Sequence, residues 1–345
     1  MSLADRAVFF GRVIKSRLTG ARAPLVVVLN VINRCNLRCI YCYGEYYDRK
    51  VADFTTGELK DLIDELAAMG TKSITIGGGE PLLRGDIGEI IAHVKSRRIE
   101  CGMNTNGTLI PKKIDAVSQL DSVCVSLDGD EVPNDLNRGD GTYRRIVEGI
   151  KAARAAGVHV HTNTVLTRNS IGSIDHIMRL ARKLGFMTEF NLPFYLGERD
   201  SKNDELYPDD EQCRRAWRKI LDYKARGYPV LFSRASHLYA LRWPDYRRRV
   251  YYDEDPDFDY IRCYAGRLMC FIDSDGSVYP CAQLIGTFEA RNIRDEGGFA
   301  AAWEHLASNP CRTCYFTCFN HFNLIFRLDA STIAETVKNT FREAL

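Results

Sequence analysis

From residue 25 to residue 193 the chain alternates short apolar runs with longer amphipathic ones, and this alternation limits the folds open to it. Residues 25–32 are apolar apart from Asn30, as suits a strand buried on both faces. Thr55-x-x-Glu58 is a capping box that opens a helix reaching about Met69, and Gly70 ends it. Strands then read at 73–76, 99–104, 122–127, 158–166 and 187–192, separated by helices at 86–98, 111–120, 142–156 and 171–184. Six strands alternating with helices predict a parallel α/β architecture. Spacing alone leaves a partial barrel and a doubly wound sheet both open. In either, ligands bind at the C-terminal ends of the strands.

The unusual residues fall at those ends. After the first strand comes Cys35-Asn36-Leu37-Arg38-Cys39-Ile40-Tyr41-Cys42. Three thiolates so close can hold three irons of a four-iron cluster and leave the fourth iron open to a small molecule. A zinc loop with a distant fourth ligand is the alternative. After the second strand comes Gly77-Gly78-Gly79-Glu80-Pro81, where glycine permits close backbone approach and Glu80 can accept from an ammonium. Asn104-Thr105-Asn106-Gly107 follows the third strand, Ser126-Leu127-Asp128-Gly129 the fourth, and Asn163 stands near the end of the fifth. Singly these would be turns and caps. Their recurrence at successive strand ends points to one site.

The rest of the composition narrows the class. A net charge of +2 over 345 residues gives no basic footprint for nucleic acid. Twelve cysteines without a signal-peptide pattern argue for metal binding in a reducing, cytoplasmic setting rather than a disulfide framework. No apolar run approaches the roughly 20 residues a membrane span needs. Residues 4–19 read as a basic amphipathic helix, expected to cover an edge or the bottom of the main domain, with peripheral membrane contact as the alternative.

A second cysteine group begins at Cys263. Cys270 and Cys281 flank the hairpin signal Asp275-Gly276, and Cys311-x2-Cys314-x3-Cys318 follows. A four-cysteine zinc ribbon is the plain alternative. Between the two groups, 196–262 is charged and aromatic and reads as a helical bridge, with Arg247, Arg248 and Arg249 as a lesser phosphate-binding candidate. In the tail 321–345, Ile333, Val337, Phe341 and Leu345 recur every four residues, a stripe expected to dock on the main domain. Cys101, Cys124 and Cys213 are isolated and read as buried thiols.

With Cys-x3-Cys-x-aromatic-Cys at 35–42 and Gly-Gly-Glu at 78–80, the chain resembles the radical S-adenosylmethionine (SAM) superfamily. The second cysteine group resembles the SPASM/twitch auxiliary-cluster domain of those enzymes. The resemblance implies an α/β fold, a partial (β/α)6 TIM-like barrel at 25–195, preceded by the helix at 1–24. It is followed by the bridge at 196–262, a small C-terminal twitch/SPASM-like domain at 263–320 and a docking helix at 321–345. It implies that Cys35, Cys39 and Cys42 bind a 4Fe–4S cluster whose open iron takes SAM. Tyr41 would lie near the adenine, Gly78, Gly79 and Glu80 at the amino group, and Asn104, Ser126, Asp128 and Asn163 at other polar parts of SAM or substrate. One auxiliary 4Fe–4S cluster is assigned to Cys263, Cys281, Cys311 and Cys314, with Cys270 and Cys318 as rival ligands. The implied reaction is cleavage of SAM to a 5′-deoxyadenosyl radical, hydrogen abstraction from an unactivated carbon, and a net oxidation assisted by the auxiliary cluster. A redox-neutral epimerisation using Cys318 or Cys270 as hydrogen donor, or maturation of a peptide, cofactor or lipid, is the enzymatic alternative. A nucleotide-binding iron–sulfur or zinc scaffold is the non-enzymatic one. Expected partners are a small-molecule, sugar, peptide or lipid-like substrate and an electron donor such as flavodoxin or ferredoxin. Relatives often carry His-Asp where this chain has Asn134-Asp135, so a role resting on that His does not transfer; Arg138 could still reach a carboxylate.

Overall fold

The computed structural model describes residues 3–194 and 205–343. Helix α1 (Leu3–Thr19) leads into β1 (Val26–Asn30), followed by α2 (Thr56–Met69), β2 (Ser73–Gly77), α3 (Ile87–Ser96) and β3 (Glu100–Thr105). Next come α4 (Ile114–Val117), β4 (Ser122–Ser126), α5 (Glu131–Arg138), α6 (Thr142–Ala155), β5 (His159–Val165), α7 (Ile174–Leu184) and β6 (Met187–Asn191). The capping box forms as the sequence predicts: Thr55 takes the Glu58 N–H, and Gly70 closes α2 at φ +99°.

Strands β1 to β6 are parallel and lie side by side in chain order. A doubly wound sheet would reverse its order at a switch point. Here the order never reverses, so right-handed crossovers put every helix on one face and the sheet curls into an open partial barrel. Strand periodicity then divides the side chains. Val27, Leu29, Ile74, Ile76, Val123 and Val125 point outward and are fully buried with the helices. Val28, Thr75, Gly102, Cys124 and His161 point inward and line a cavity.

The second half comprises α8 (Asp210–Ala225), α9 (Arg234–Leu241), β7 (Val250–Tyr252), β8 (Met269–Ile272), β9 (Ser277–Tyr279) and β10 (Arg291–Asn292). It ends with α10 (Gly298–His305), β11 (Cys311–Cys314), α11 (Thr317–Phe326) and α12 (Ala330–Glu343). Strand β8 pairs in parallel with the free edge of β1, and β9 and β10 extend the sheet antiparallel to nine strands. The cysteine-rich region is thus hydrogen-bonded directly onto the barrel. Strands β7 and β11 make a separate antiparallel pair.

Helix α1 packs through Phe9 and Val13, and Arg12 and Arg17 donate to the Met69 carbonyl and the Tyr264 hydroxyl. The stripe expected on the tail departs from expectation. Val337 is exposed and Ile333 only half-buried, because α12 is anchored by buried Thr332 and by the Glu335–Lys224 ion pair at 2.8 Å. The Phe341 side chain, Leu345 and the boundary at 195/196 lie outside the described residues. The three arginines at 247–249 form no common patch: Arg247 lies over Tyr207, Arg248 pairs with Glu254 over Tyr251, and Arg249 is half-buried beside Cys281 and Cys311. Among the described residues no helix is long and apolar enough to cross a membrane.

Candidate active site

The strand ends open into a cavity of about 1530 Å³. Cys35, Cys39, Cys42, Tyr41, Gly78, Gly79, Asn104, Ser126 and Asn163 all line it. The glycines explain how two loops meet there. Gly79 N–H donates to the Ile32 carbonyl and Glu80 N–H to the Arg34 carbonyl. A Cβ on Gly79 would lie 2.1 Å from that Arg34 oxygen, and one on Gly78, at φ +132°, 2.8 Å from the Ile32 oxygen. Only glycine lets the end of β2 come this close to the cysteine loop.

Two residues expected at SAM, Glu80 and Asp128, are not in the cavity lining. Glu80 is fully buried and accepts from Leu82 N–H at 3.0 Å, the Thr105 hydroxyl at 2.7 Å and Asn106 N–H at 2.8 Å. It braces the ends of β2 and β3, and burial without a cation pushes its carboxyl up to about 7. Asp128 is likewise fully buried. Arg138 grips it with two hydrogen bonds, at 2.8 and 3.1 Å, Val165 N–H donates at 3.0 Å, and the Tyr41 hydroxyl donates to it. Arg138 also donates to the Cys39 sulfur at 3.8 Å. Asp128 therefore orients Tyr41 and Arg138 around the cysteine loop. Asn134, where relatives often carry His, accepts from Asp128 N–H at 3.2 Å.

The three loop thiols suit a cationic cluster. Burial pushes Cys35 up to about 12 and Cys39 to about 11, and each would be further penalised by negative charge on its neighbours. Thiolates so crowded need a cation among them, and ligation would release their protons.

A second thiol group forms beside the same cavity. The Cys263 and Cys311 side chains are close enough to shift one another's protonation, Cys281 feels Cys263, and Cys314 feels both Cys263 and Cys281. Cys263 N–H binds the Arg312 carbonyl at 2.9 Å, which ties the loop to β11. Arg249 lies where it senses Cys281 and Cys311, and its buried Nη1 has no hydrogen-bond partner. An anionic cluster held by these four sulfurs would meet that orphaned donor, so the residues fit an auxiliary cluster. Cys270 is not brought into the group. It stands on β8 opposite Val27, and burial alone acts on its thiol. Cys318, at the start of α11, lines the cavity and senses both Cys281 and Glu189.

Sequence reasoning missed the cavity floor. Cys124 is buried as expected, yet it faces inward, with its Sγ 3.8 Å from Glu189 Oε1. His161 and Asn191 also line the cavity. The available signal was strongly polar or charged residues at alternate positions of two strands: His161 and Asn163 on β5, Glu189 and Asn191 on β6.

A partial barrel that presents three thiols and a glycine cradle to an open cavity defines an enzyme that binds an iron–sulfur cluster and SAM. The radical SAM superfamily profile matches residues 29–181. The mycofactocin maturase MftC of Mycolicibacterium smegmatis is 30% identical over 301 residues, 85% of this chain and 74% of that one. The AdoMet-dependent heme synthase of Nitratidesulfovibrio vulgaris is 29% identical over 295 residues, 80% and 78% of the two chains. Among solved structures, Streptococcus suis SuiB bound to its precursor peptide SuiA matches with a TM-score of 0.65 at 19% identity, covering 84% of this chain and 67% of that one. The enzyme anSMEcpe with bound AdoMet matches at 0.63 and 17%, covering 83% and 80%. The chain belongs to the radical SAM superfamily. It is a radical SAM enzyme, and the family binds a 4Fe–4S cluster and SAM.

Proposed function

We propose that this enzyme oxidises a bulky substrate by hydrogen abstraction, with Cys35, Cys39 and Cys42 holding the SAM cluster and Cys263, Cys281, Cys311 and Cys314 an auxiliary one. The observation that carries the reading is the convergence of four thiols beside the cavity that also holds the SAM-type loop, with Cys281 in its wall. Held by Cys35, Cys39 and Cys42 and reduced by an external one-electron donor, a cluster would supply reductive cleavage of SAM, and one held by Cys263, Cys281, Cys311 and Cys314 would supply a one-electron acceptor for the substrate. The chain's own residues do the positioning. Gly78 and Gly79 present backbone to SAM, Ser126 and Asn163 offer polar contacts, and the Asp128–Arg138–Tyr41 assembly orients the loop. The aromatic wall of Tyr43, stacked on Phe194 at 4.5 Å, with Phe316 beyond, excludes water and holds an apolar group. A cavity this large suits a peptide side chain with its flanking backbone, as the SuiB complex with a precursor peptide illustrates for that protein. The heme synthase relatives make a macrocycle the second substrate class to screen. Cys318 in the cavity wall supports a second outcome, return of a hydrogen atom with no net oxidation.

The test is anaerobic turnover of reconstituted enzyme against precursor-peptide and tetrapyrrole libraries, with mass and redox balance of the product. A product two hydrogens lighter per 5′-deoxyadenosine formed is expected. Cys281→Ala should keep SAM cleavage and lose that product. A product at the oxidation level of the substrate sinks the oxidation reading and favours Cys318 as donor.

A further inference from the structure

The floor of the cavity holds a group of donors that no assigned role uses. Cys124 on β4, His161 on β5 and Glu189 on β6 place one sulfur, one ring nitrogen and one carboxylate oxygen all within 4.8 Å of one another. The strand register explains why. Cys124 lies opposite His161, and Asn163, two residues further on, lies opposite Glu189, so three neighbouring strands send side chains inward to one point.

The group holds a buried acid and no cation. Glu189 is only 7% exposed, and its hydrogen-bond partners are neutral, the Cys124 thiol at 3.8 Å and Asn191 Nδ2 at 3.2 Å. A buried carboxylate without a cation is costly. His161 is half-buried in the cavity wall, among the described residues no hydrogen bond to its ring is found, and desolvation lowers its pKa to about 4. Asn191, 9% exposed, donates to Asn163 and Glu189, while its buried Oδ1 has no partner. A buried acid with only neutral partners, an imidazole, a thiol and an orphaned amide oxygen side by side suit a cation.

We infer that Cys124, His161 and Glu189 bind one divalent metal ion of borderline softness, zinc-like, in the floor of the substrate cavity. One sulfur, one nitrogen and one oxygen donor suit such an ion better than magnesium or calcium, which take oxygen alone. A tetrahedral zinc site has ligand–ligand edges of roughly 3.3–3.6 Å from its bond lengths, so contraction of about an ångström by side-chain rotation assembles it. Three protein ligands leave a fourth position open to the cavity, the arrangement of a reactive rather than a structural site. The ion would anchor a Lewis-basic group of the substrate, a carboxylate or thiolate, beneath the SAM loop. The inference does not depend on the substrate being a peptide or on the reaction being an oxidation.

The probe is zinc itself. Reconstituted, SAM-free enzyme is equilibrated anaerobically with Zn²⁺, passed through a desalting column, and analysed for zinc and iron together. Wild type should retain one zinc with unchanged iron. His161→Ala and Glu189→Gln should each weaken zinc binding by about 100-fold or more, beyond the roughly 10- to 100-fold typical of losing an outer-shell partner, again with unchanged iron. Crystals of the zinc-loaded enzyme should show an anomalous peak between Cys124, His161 and Glu189, which is independent of how the variants fold. Zinc retained equally by both variants, zinc bound at the expense of iron, or no zinc retained by wild type would each overturn the inference.

Discussion

Glu80 shows how one residue's surroundings redefine its role. Its carboxylate is fully buried among three donors and no cation, and its pKa is raised from 4.5 to about 7. The folded state therefore holds the proton more tightly than the unfolded chain does. The associated stability is fully present below about 4.5 and is lost as pH rises through about 7. The loss is about 3 kcal/mol at most. Anaerobic denaturation at pH 5, 6, 7 and 8 should show a stability decline in wild type that Glu80→Gln visibly flattens. Parallel pH curves for the two proteins would contradict this account of Glu80. The same substitution leaves one of the three donors facing an NH2 group, so at its best pH the variant should still be about 1–3 kcal/mol less stable.

At the scale of elements, the decisive contact joins the cysteine loop to the β8–β9 hairpin. Asp273, in the hairpin turn, is 2% exposed and pairs with Arg49 at 2.8 Å. It also accepts from Asn30 and Tyr46, while Ser274 and Asn33 exchange hydrogen bonds at 2.7 and 3.0 Å. The turn that lies within the second cysteine group, between Cys270 and Cys281, thus clamps the loop that carries the first. Asp273→Ala leaves a largely buried guanidinium unpaired, a loss on the order of 3–5 kcal/mol. The expected phenotype is wider: iron should leave the Cys35–Cys42 loop faster on chelator challenge, although residue 273 touches no cysteine. Unchanged chelation kinetics would show that the clamp is only a stability element.

For the whole molecule, the sheet makes the barrel and the cysteine-rich region one body, with β8 hydrogen-bonded to β1. Iron counts test the proposed division of ligands. The triple replacement Cys35→Ala, Cys39→Ala and Cys42→Ala should abolish 5′-deoxyadenosine formation and retain about four irons per chain, against roughly eight in wild type. Cys263→Ala or Cys281→Ala should lose the auxiliary irons, and Cys270→Ala should lose none. Iron loss from Cys270→Ala would show that the β8 thiol moves into the cluster, and zinc in place of iron in the triple variant would refute the auxiliary cluster.

The amino-acid sequence by itself determined what depends on near neighbours in the chain. The six strands and most helices followed from apolar periodicity, the start and end of α2 from its capping box and Gly70, and the metal-binding loop from cysteine spacing. The partial barrel also needed the family resemblance, because alternation alone allowed a doubly wound sheet. Only the tertiary structure decided which strand-end residues face the cavity and which brace it. Glu80 and Asp128 are not in the cavity lining, while Cys124, His161, Glu189 and Asn191 meet across three strands that the sequence keeps up to 67 residues apart. The reason is geometric: a one-residue change of register sends a strand side chain to the opposite face. Register is set by pairing between strands and by the curl of the sheet, neither of which is written in any local stretch of chain.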